Sequence, residues 1–168
     1  MAFITAESRS DIIALVVTML NRAPDNTLLD ELVTAYNGGS TMAEIADHIA
    51  ASDEFVAANA ASQTAEEYAA AALDRAFQGA TVAADLRTAA IDLAVTYLND
   101  GMTKAGLAIA INDFLSNPDV LVNADQADFA NIAQAFVNKN TVAEYYVLDA
   151  DLGDLTAAEL TAAIASVT

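Results

Sequence analysis

The chain has 168 residues, 55% of them hydrophobic, and its 24 acidic and six basic side chains give a formal net charge of −18. This acidity argues against direct binding of nucleic acid or anionic lipid, and the high apolar content argues against general disorder. Cysteine is absent, which excludes disulfides and thiolate metal sites.

Helix signals begin close to the N-terminus. We predict a first helix over residues 10–20, capped by Ser10 and stopped by the phrase NRAPD. A second helix is predicted over 26–36, ending at the asparagine and two glycines that follow it. Thr41 and Glu44 form a capping box, which predicts a third helix running towards residue 55.

The central part of the chain repeats these start and stop signals. Thr64 and Glu67 form a second capping box and open a fourth helix, which Gly79 ends. Thr81 is expected to cap a long helix to Leu98, and Thr103 to begin another that reaches Leu115.

The C-terminal part is also predicted to be helical. Residues 125–148 carry apolar side chains at three-to-four spacing, although the phrase VNKN is a candidate interruption. A loop follows, and Thr156 and Glu159 cap a last, alanine-rich helix. Since strand signals are weak throughout, we predict an all-α bundle of about seven or eight helices.

Two phrases of the sequence are nearly the same. VTAYNGGSTMAEIADHI (33–49) and VTYLNDGMTKAGLAIAI (95–111) share eight of 17 residues at a constant offset of 62. We interpret them as a duplicated helical hairpin, with convergent capping chemistry as the alternative. We expect one domain over 1–168, and lobes 1–62 and 63–168 are the alternative division.

Support for catalysis is weak. His48 is the sole histidine, and neither a phosphate-binding glycine loop nor a nucleophile elbow accompanies it. Acidic pairs such as Asp53 and Glu54 lie at predicted helix ends or outer faces, where solvated charge is the ordinary explanation. We therefore expect a non-enzymatic protein; an enzyme that uses a carboxylate pair on envelope glycans is a distant alternative.

The best candidate for a metal site is the acidic phrase between the last two predicted helices. Asp149, Asp151 and Asp154 echo the acid spacing of a calcium loop, and calcium prefers carboxylate oxygens. The glycine, however, stands at the fifth position of the phrase and not at the sixth. The alternative is an ordinary loop, capped by Asp154, that precedes the last helix.

Tyrosine and asparagine lie at both glycine corners, where they could form a recognition surface. Tyrosine stacks on sugar rings and asparagine bonds hydroxyl groups, so neither needs charge. The scarce arginines add donors for hydroxyls or acidic sugars. The candidate surface consists of Arg22, Tyr36, Asn37, Arg75, Tyr97 and Asn99. Two alternatives stand beside it: the tyrosines line the edge of the core, and Arg22 holds the NRAPD turn by pairing with Asp25.

Three phrases carry a resemblance: LNRAPD (20–25), YNGGSTMAEIADHIAASDEF (36–55) and FVNKNTVAEYY (136–146). They resemble the helical domain of unknown function found near the N-terminus of type I-secreted bacterial surface proteins. The family pattern is held here by Leu20, Arg22, Ala23, Pro24, Asp25, Gly39, Ser52, Glu54, Phe55, Asn138, Lys139, Val142 and Tyr145. The chain departs from this group in lacking the glycine–aspartate calcium-binding repeats that commonly follow the helical region.

The chain is also similar to the all-helical N-terminal region by which Caulobacter-type surface-layer proteins bind the O-polysaccharide of lipopolysaccharide. This likeness implies export without an N-terminal signal, an extracellular position on a bacterial surface, calcium and a glycan partner. We therefore expect the N-terminal anchoring module of a longer secreted protein that tethers a protein lattice. The alternative is a structural protein whose copies self-assemble into a calcium-dependent lattice or filament.

Overall fold

The computed structural model describes residues 4–60, 64–117, 119, 129–148, 155–165 and 167, which form nine α-helices and no strand. The helices are α1 (Ala6–Leu20), α2 (Asn26–Asn37), α3 (Met42–Ala50), α4 (Asp53–Ala58), α5 (Ala65–Phe77), α6 (Ala84–Asn99), α7 (Lys104–Ser116), α8 (Ala130–Leu148) and α9 (Ala157–Ala165). The prediction of an all-α bundle is confirmed, with one helix more than the upper count.

The additional helix arises because the predicted third helix is two helices. The hydroxyl of Ser52 donates to the carbonyl of Ile49 at 2.7 Å and accepts from the amide of Phe55 at 3.2 Å. The side chain of Ser52 thus ends α3 and caps α4. Capping boxes alone do not predict this division.

The capping boxes themselves are confirmed. Thr41 and Thr64 accept from the amides three residues on, and Glu44 and Glu67 bond back to the two threonine amides. Thr156 and Glu159 make the same reciprocal pair before α9. Each pair satisfies two of the amides that the start of a helix leaves without partners.

Two predicted helix starts are wrong. α1 begins after Thr5, whose hydroxyl accepts from the amide of Ser8 at 3.1 Å, so Ser10 lies inside the helix. α6 begins after Ala83 without a side-chain cap, and the carbonyl of Thr81 accepts from Asn131 of α8 instead. The phrase VNKN does not interrupt α8.

The core is built around α1, in which every residue from Ile12 to Met19 is buried. α1 packs against α7 and α8, and α3 lies across α7, so both halves of the chain contribute to one cluster of buried side chains. Burying a side chain such as Ile12 contributes about 1.5–3 kcal/mol. Among the described residues, no helix is long and apolar enough to cross a membrane.

The repeated phrases form two helical hairpins, which we call the first hairpin (α2–α3) and the second hairpin (α6–α7). Gly39 and Gly101 hold equivalent places in the two corners, with φ of 108° and 99°, a region open to glycine and costly for other residues. Thr41 and Thr103 then cap α3 and α7 in the same way.

The main hydrogen bonds of the two corners also correspond. Gly38 donates to the carbonyl of Thr34 at 2.9 Å, and Asp100 donates to Thr96 at 2.9 Å. The equivalent closing bonds, Ser40 to Ala35 and Met102 to Tyr97, measure 3.1 and 2.9 Å. The buried faces match as well: Ile45, Ala46 and Ile49 in α3 correspond to Leu107, Ala108 and Ile111 in α7. The two phrases therefore share the geometry of the corner as well as residue identities.

Candidate functional site

Arg22 does not belong to an exposed recognition surface. The residue is 4% exposed, and its guanidinium makes two parallel bonds to the carboxylate of Glu54, at 2.6 and 2.7 Å. It also donates to the carbonyl of Ala23 and lies 3.4 Å from Asp25. The bond to Glu54 raises the pKa of Arg22 further. Arg22 therefore holds the NRAPD turn against α4. The prediction that Arg22 is a glycan ligand is wrong, because its guanidinium is buried and bonded within the protein.

Arg75 is likewise engaged inside the protein. Both terminal nitrogens donate to the side-chain oxygen of Asn59, at 3.2 and 3.1 Å. Asn59 is itself buried, and its amide donates to the carbonyl of Phe55. Burial lowers the pKa of Arg75. The side chain therefore joins α5 to the end of α4, an arrangement that leaves little of it for a surface ligand.

Lys139, which the sequence offered only as part of the family pattern, is a buried cation. It is 1% exposed, and its ammonium donates to the carbonyl of Arg75 at 2.8 Å, in the last turn of α5. Burial lowers the pKa of Lys139 to about 8. The signal was present in the sequence, because Lys139 continues the buried stripe of Ile132, Phe136 and Ala143 on α8.

The basic side chains serve mainly as internal braces. Arg22, Arg75 and Lys139 bond inside the fold, and Arg87 pairs with Asp74 at 2.7 Å between α6 and α5. The ammonium of Lys104 lies 4.6 Å from the centre of the Tyr68 ring. Five of the six cations are thus committed to partners, and acidic side chains dominate the surface.

The two corner tyrosines occupy different environments. Tyr36 is half-buried and its hydroxyl shares a 3.1 Å hydrogen bond with Ser8 of α1. Tyr97 is 41% exposed. At the offset of the repeat, Tyr36 corresponds to Leu98, while Tyr97 corresponds to Ala35. The two tyrosines therefore sit one position apart in the repeat. Because successive residues on a helix are about 100° apart, the two rings point in different directions. The two corner tyrosines are therefore not equivalent positions of the repeat.

The corner asparagines, in contrast, are equivalent. Asn37 and Asn99 are the last residues of α2 and α6, they match at the offset of the repeat, and both are exposed. Of the six candidate residues, Asn37, Tyr97 and Asn99 are exposed; Tyr97 and Asn99 lie two positions apart at the end of α6, so their side chains point to different faces of the helix.

An open apolar groove lies beside Tyr97. It has a volume of about 260 Å³ and runs between α6 and α7, over α5. It is lined by Leu73, Phe77, Ala90, Leu93, Ala94, Tyr97, Leu107, Ala110, Ile111, Phe114, Leu115 and Phe129. Among the described residues that line the groove, Tyr97 carries the one polar side-chain group, and Leu93 at the rim is 53% exposed. Exposed apolar patches of this kind mark interaction sites in many proteins.

The first hairpin has a polar pair where the second has this groove. At the offset of the repeat, Leu93 corresponds to Glu31 and Ala110 corresponds to His48. Glu31 and His48 face each other at 2.9 Å, and both side chains are more than half exposed. The hairpin geometry therefore tolerates a polar pair at these positions, and the apolar residues of the second hairpin are not required by the corner.

The predicted calcium ligands, Asp149, Asp151 and Asp154, lie outside the described residues. Within the described part of the chain, no group of three or more acidic or histidine side chains is placed to hold a metal ion. A smaller cavity of about 230 Å³ beside α1 and α7 contains one acidic pair, Asp11 and Asp113. Burial, with repulsion from Glu7 and Asp113, raises the pKa of Asp11.

The geometry defines an all-helical module with an acidic surface and an exposed apolar groove on its second hairpin. The chain matches no family model, no curated protein and no solved structure.

Proposed function

We propose that the chain is a non-enzymatic anchoring module that binds cell-surface polysaccharide, the O-antigen of lipopolysaccharide, and tethers a secreted protein assembly. The observation that carries this proposal is the exposed ring of Tyr97 at the apolar groove, near the end of α6. A half-exposed aromatic ring offers a stacking surface for the C–H face of a sugar. The exposed amide of Asn99, two residues further on and on another face of the helix end, bonds hydroxyl groups of a further sugar unit.

The charge distribution supports a ligand that is recognised without ion pairs. With five of six cations committed to partners, the protein has few groups for an anionic ligand. A sugar with neutral rings is not repelled by a net charge of −18. Arg22, Tyr36 and Arg75 do not enter the proposed contact, because their polar groups bond within the protein. The position on a bacterial surface rests on the resemblance of the sequence.

Retention on purified lipopolysaccharide tests the proposal. We expect the chain to bind a smooth form, which carries O-polysaccharide, and not a rough form that lacks it. Tyr97→Ala and Asn99→Ala are expected to weaken retention by about tenfold, roughly the effect of one good contact.

Matched variants control this experiment. Asn37→Ala removes the equivalent amide of the first hairpin, and Tyr145→Ala removes a tyrosine that is 56% exposed on α8. Both are expected to bind the smooth form as the parent does. Equal retention on the smooth and rough forms would contradict the proposal.

Calcium-dependent self-assembly is the second candidate function. It is favoured by the net charge of −18, since divalent cations bridge carboxylates of neighbouring copies. Particle size in calcium and in chelator, without polysaccharide, tests it. Growth in calcium that the chelator reverses supports this candidate, and a monomer in both conditions removes it.

A further inference from the structure

The groove of the second hairpin is suited to a partner of a different class. We propose that it binds an amphipathic helix of another protein, with apolar anchors along two turns and lysine or arginine on either side of them. This goes beyond polysaccharide anchoring, and it does not depend on Asn99.

The shape of the groove fits a helix. On α6 the lining residues Ala90, Leu93, Ala94 and Tyr97 follow the i, i+3, i+4, i+7 spacing of one helix face, a strip about 10 Å long. On α7, Leu107, Ala110, Ile111 and Phe114 repeat this spacing. Two such strips with apolar floor residues between them form a trough two turns long, and bound helices enter such troughs with anchors at the same spacing.

The loose packing of α6 leaves the trough open. Of its 16 residues only Ala94 is buried, although Ile91, Val95 and Leu98 pack partly against the core. α6 packs chiefly against α5 and less against α7. The helix therefore keeps Leu93 and Tyr97 in solvent, where their burial by a partner would gain about 25 cal/mol for each Å² of apolar surface.

The surroundings of the groove decide the charge of the partner. Residues 65–116, which include α5, α6 and α7, contain seven acidic and three basic side chains. Arg75 donates to Asn59, Arg87 pairs with Asp74, and Lys104 lies over Tyr68. An apolar groove on a chain with a net charge of −18 complements an apolar face flanked by cations. A second copy of this chain also carries a net charge of −18, so it complements the groove less well than a cationic helix does.

A designed peptide tests the proposal on the full chain. The probe is a helix of about 18 residues, five turns, with leucine at the anchor spacing and lysine elsewhere. The first control peptide has the same composition in scrambled order, and the second carries glutamate in place of lysine. We expect calorimetry to show binding of the probe, about tenfold weaker binding of the scrambled peptide and none of the acidic one.

The groove variant is the double substitution Leu93→Glu with Ala110→His, which transfers the polar pair of the first hairpin. Because this variant adds an acidic side chain, general attraction of a cationic peptide would increase, whereas the proposal predicts about tenfold weaker binding. Val56→Glu is the matched control, since Val56 is 58% exposed on α4 and outside the groove. It is expected to bind the probe as tightly as the parent.

Three results would overturn the proposal. The first is equal binding of the ordered and scrambled peptides, and the second is undiminished binding by the groove variant when circular dichroism shows it to be folded. The third is failure of the probe to bind while the groove variant loses self-association or polysaccharide retention, which would assign the groove to that other occupant. Loss of retention on Asn99→Ala alone bears on the polysaccharide proposal and leaves this one standing.

Discussion

The two hairpins share the backbone geometry of the corner and differ in the surfaces that they present. Their corner glycines, threonine caps and closing hydrogen bonds correspond one to one, yet α2 buries Leu29 and Leu32 while α6 buries only Ala94. Where the first hairpin exposes the polar pair Glu31 and His48, the second lines a groove with Leu93 and Ala110. Local sequence fixes the corner, and the residues between the capping positions decide what each hairpin contacts.

The largest expected effect is on the free energy of unfolding, and it shows how differently α2 and α6 pack against the core. Leu32 of α2 is fully buried, and Leu93 of α6 is 53% exposed. We expect Leu32→Ala to lower the free energy of unfolding by about 3 kcal/mol, because it leaves a cavity, and Leu93→Ala by less than about 0.5 kcal/mol. Urea unfolding followed by circular dichroism measures both. Equal costs would show that α6 is as firmly packed as α2.

The buried brace formed by Lys139 should make the stability of the protein depend on pH. Lys139 of α8 donates to a carbonyl of α5, whereas Arg22, in the turn before α2, is paired with the carboxylate of Glu54 in α4. The pKa of Lys139 is about 8 in the folded protein and 10.5 in the unfolded chain. Between these values the unfolded state binds more protons, so stability rises with pH, by roughly 2 kcal/mol up to pH 10.

Tyr68 limits the rise in stability at high pH. Burial raises its pKa from 10.0 to about 12, so the folded protein keeps a proton that the unfolded chain loses, and stability falls above pH 10. Unfolding titrations from pH 7 to pH 11 on the parent and on Lys139→Met measure both limbs. The rise between pH 8 and 10 should be absent from Lys139→Met, and its persistence would exclude Lys139 as the cause.

The corner glycines give a smaller and matched effect. Gly39→Ala and Gly101→Ala force a side chain into positive φ, although a Cβ at either position meets nothing within 4 Å. We expect each substitution to cost about 1 kcal/mol of unfolding free energy, and the two costs to agree within about 0.5 kcal/mol. A clear difference between the two would mean that the corners are less alike than their hydrogen bonds indicate.

The smallest effect is expected at the polar pair of the first hairpin. His48 and Glu31 are more than half exposed, and exposed ion pairs contribute about 0–1 kcal/mol. His48→Ala should therefore change the free energy of unfolding by less than about 0.5 kcal/mol in urea titrations. A loss near 2 kcal/mol would indicate that the pair holds the hairpin together, and that the groove residues replace a structural element.

The sequence predicted the parts of the fold that depend on neighbouring residues. Capping boxes such as Thr41–Glu44 and the glycine corners are encoded within four or five positions, and they appear where expected. The split at Ser52 was missed because its hydroxyl serves two helices at once. The alternative in which Arg22 holds the NRAPD turn by pairing with Asp25 is confirmed. The bonds of Arg22 to Glu54 and of Arg75 to Asn59 were missed because these partners lie 32 and 16 residues away.

The groove could not be predicted for a related reason. Leu93 and Tyr97 continue an apolar pattern that a buried helix would also show, and only the packing of α6 against α5 and α7 reveals that they remain exposed. Comparing the repeats position by position gives a usable signal, because Glu31 and His48 in one copy indicate a solvent-facing site in the other.

Hydrogen exchange of the full chain, with and without the leucine–lysine probe helix, tests the central claim most directly. The amides of α6 are expected to exchange faster than those of α2, because α6 buries one residue and its groove is open. Binding of the probe should slow exchange within residues 84–116 and leave residues 26–50 unchanged. Equal slowing in both hairpins, or none in either, would contradict the account that the second hairpin carries the binding surface.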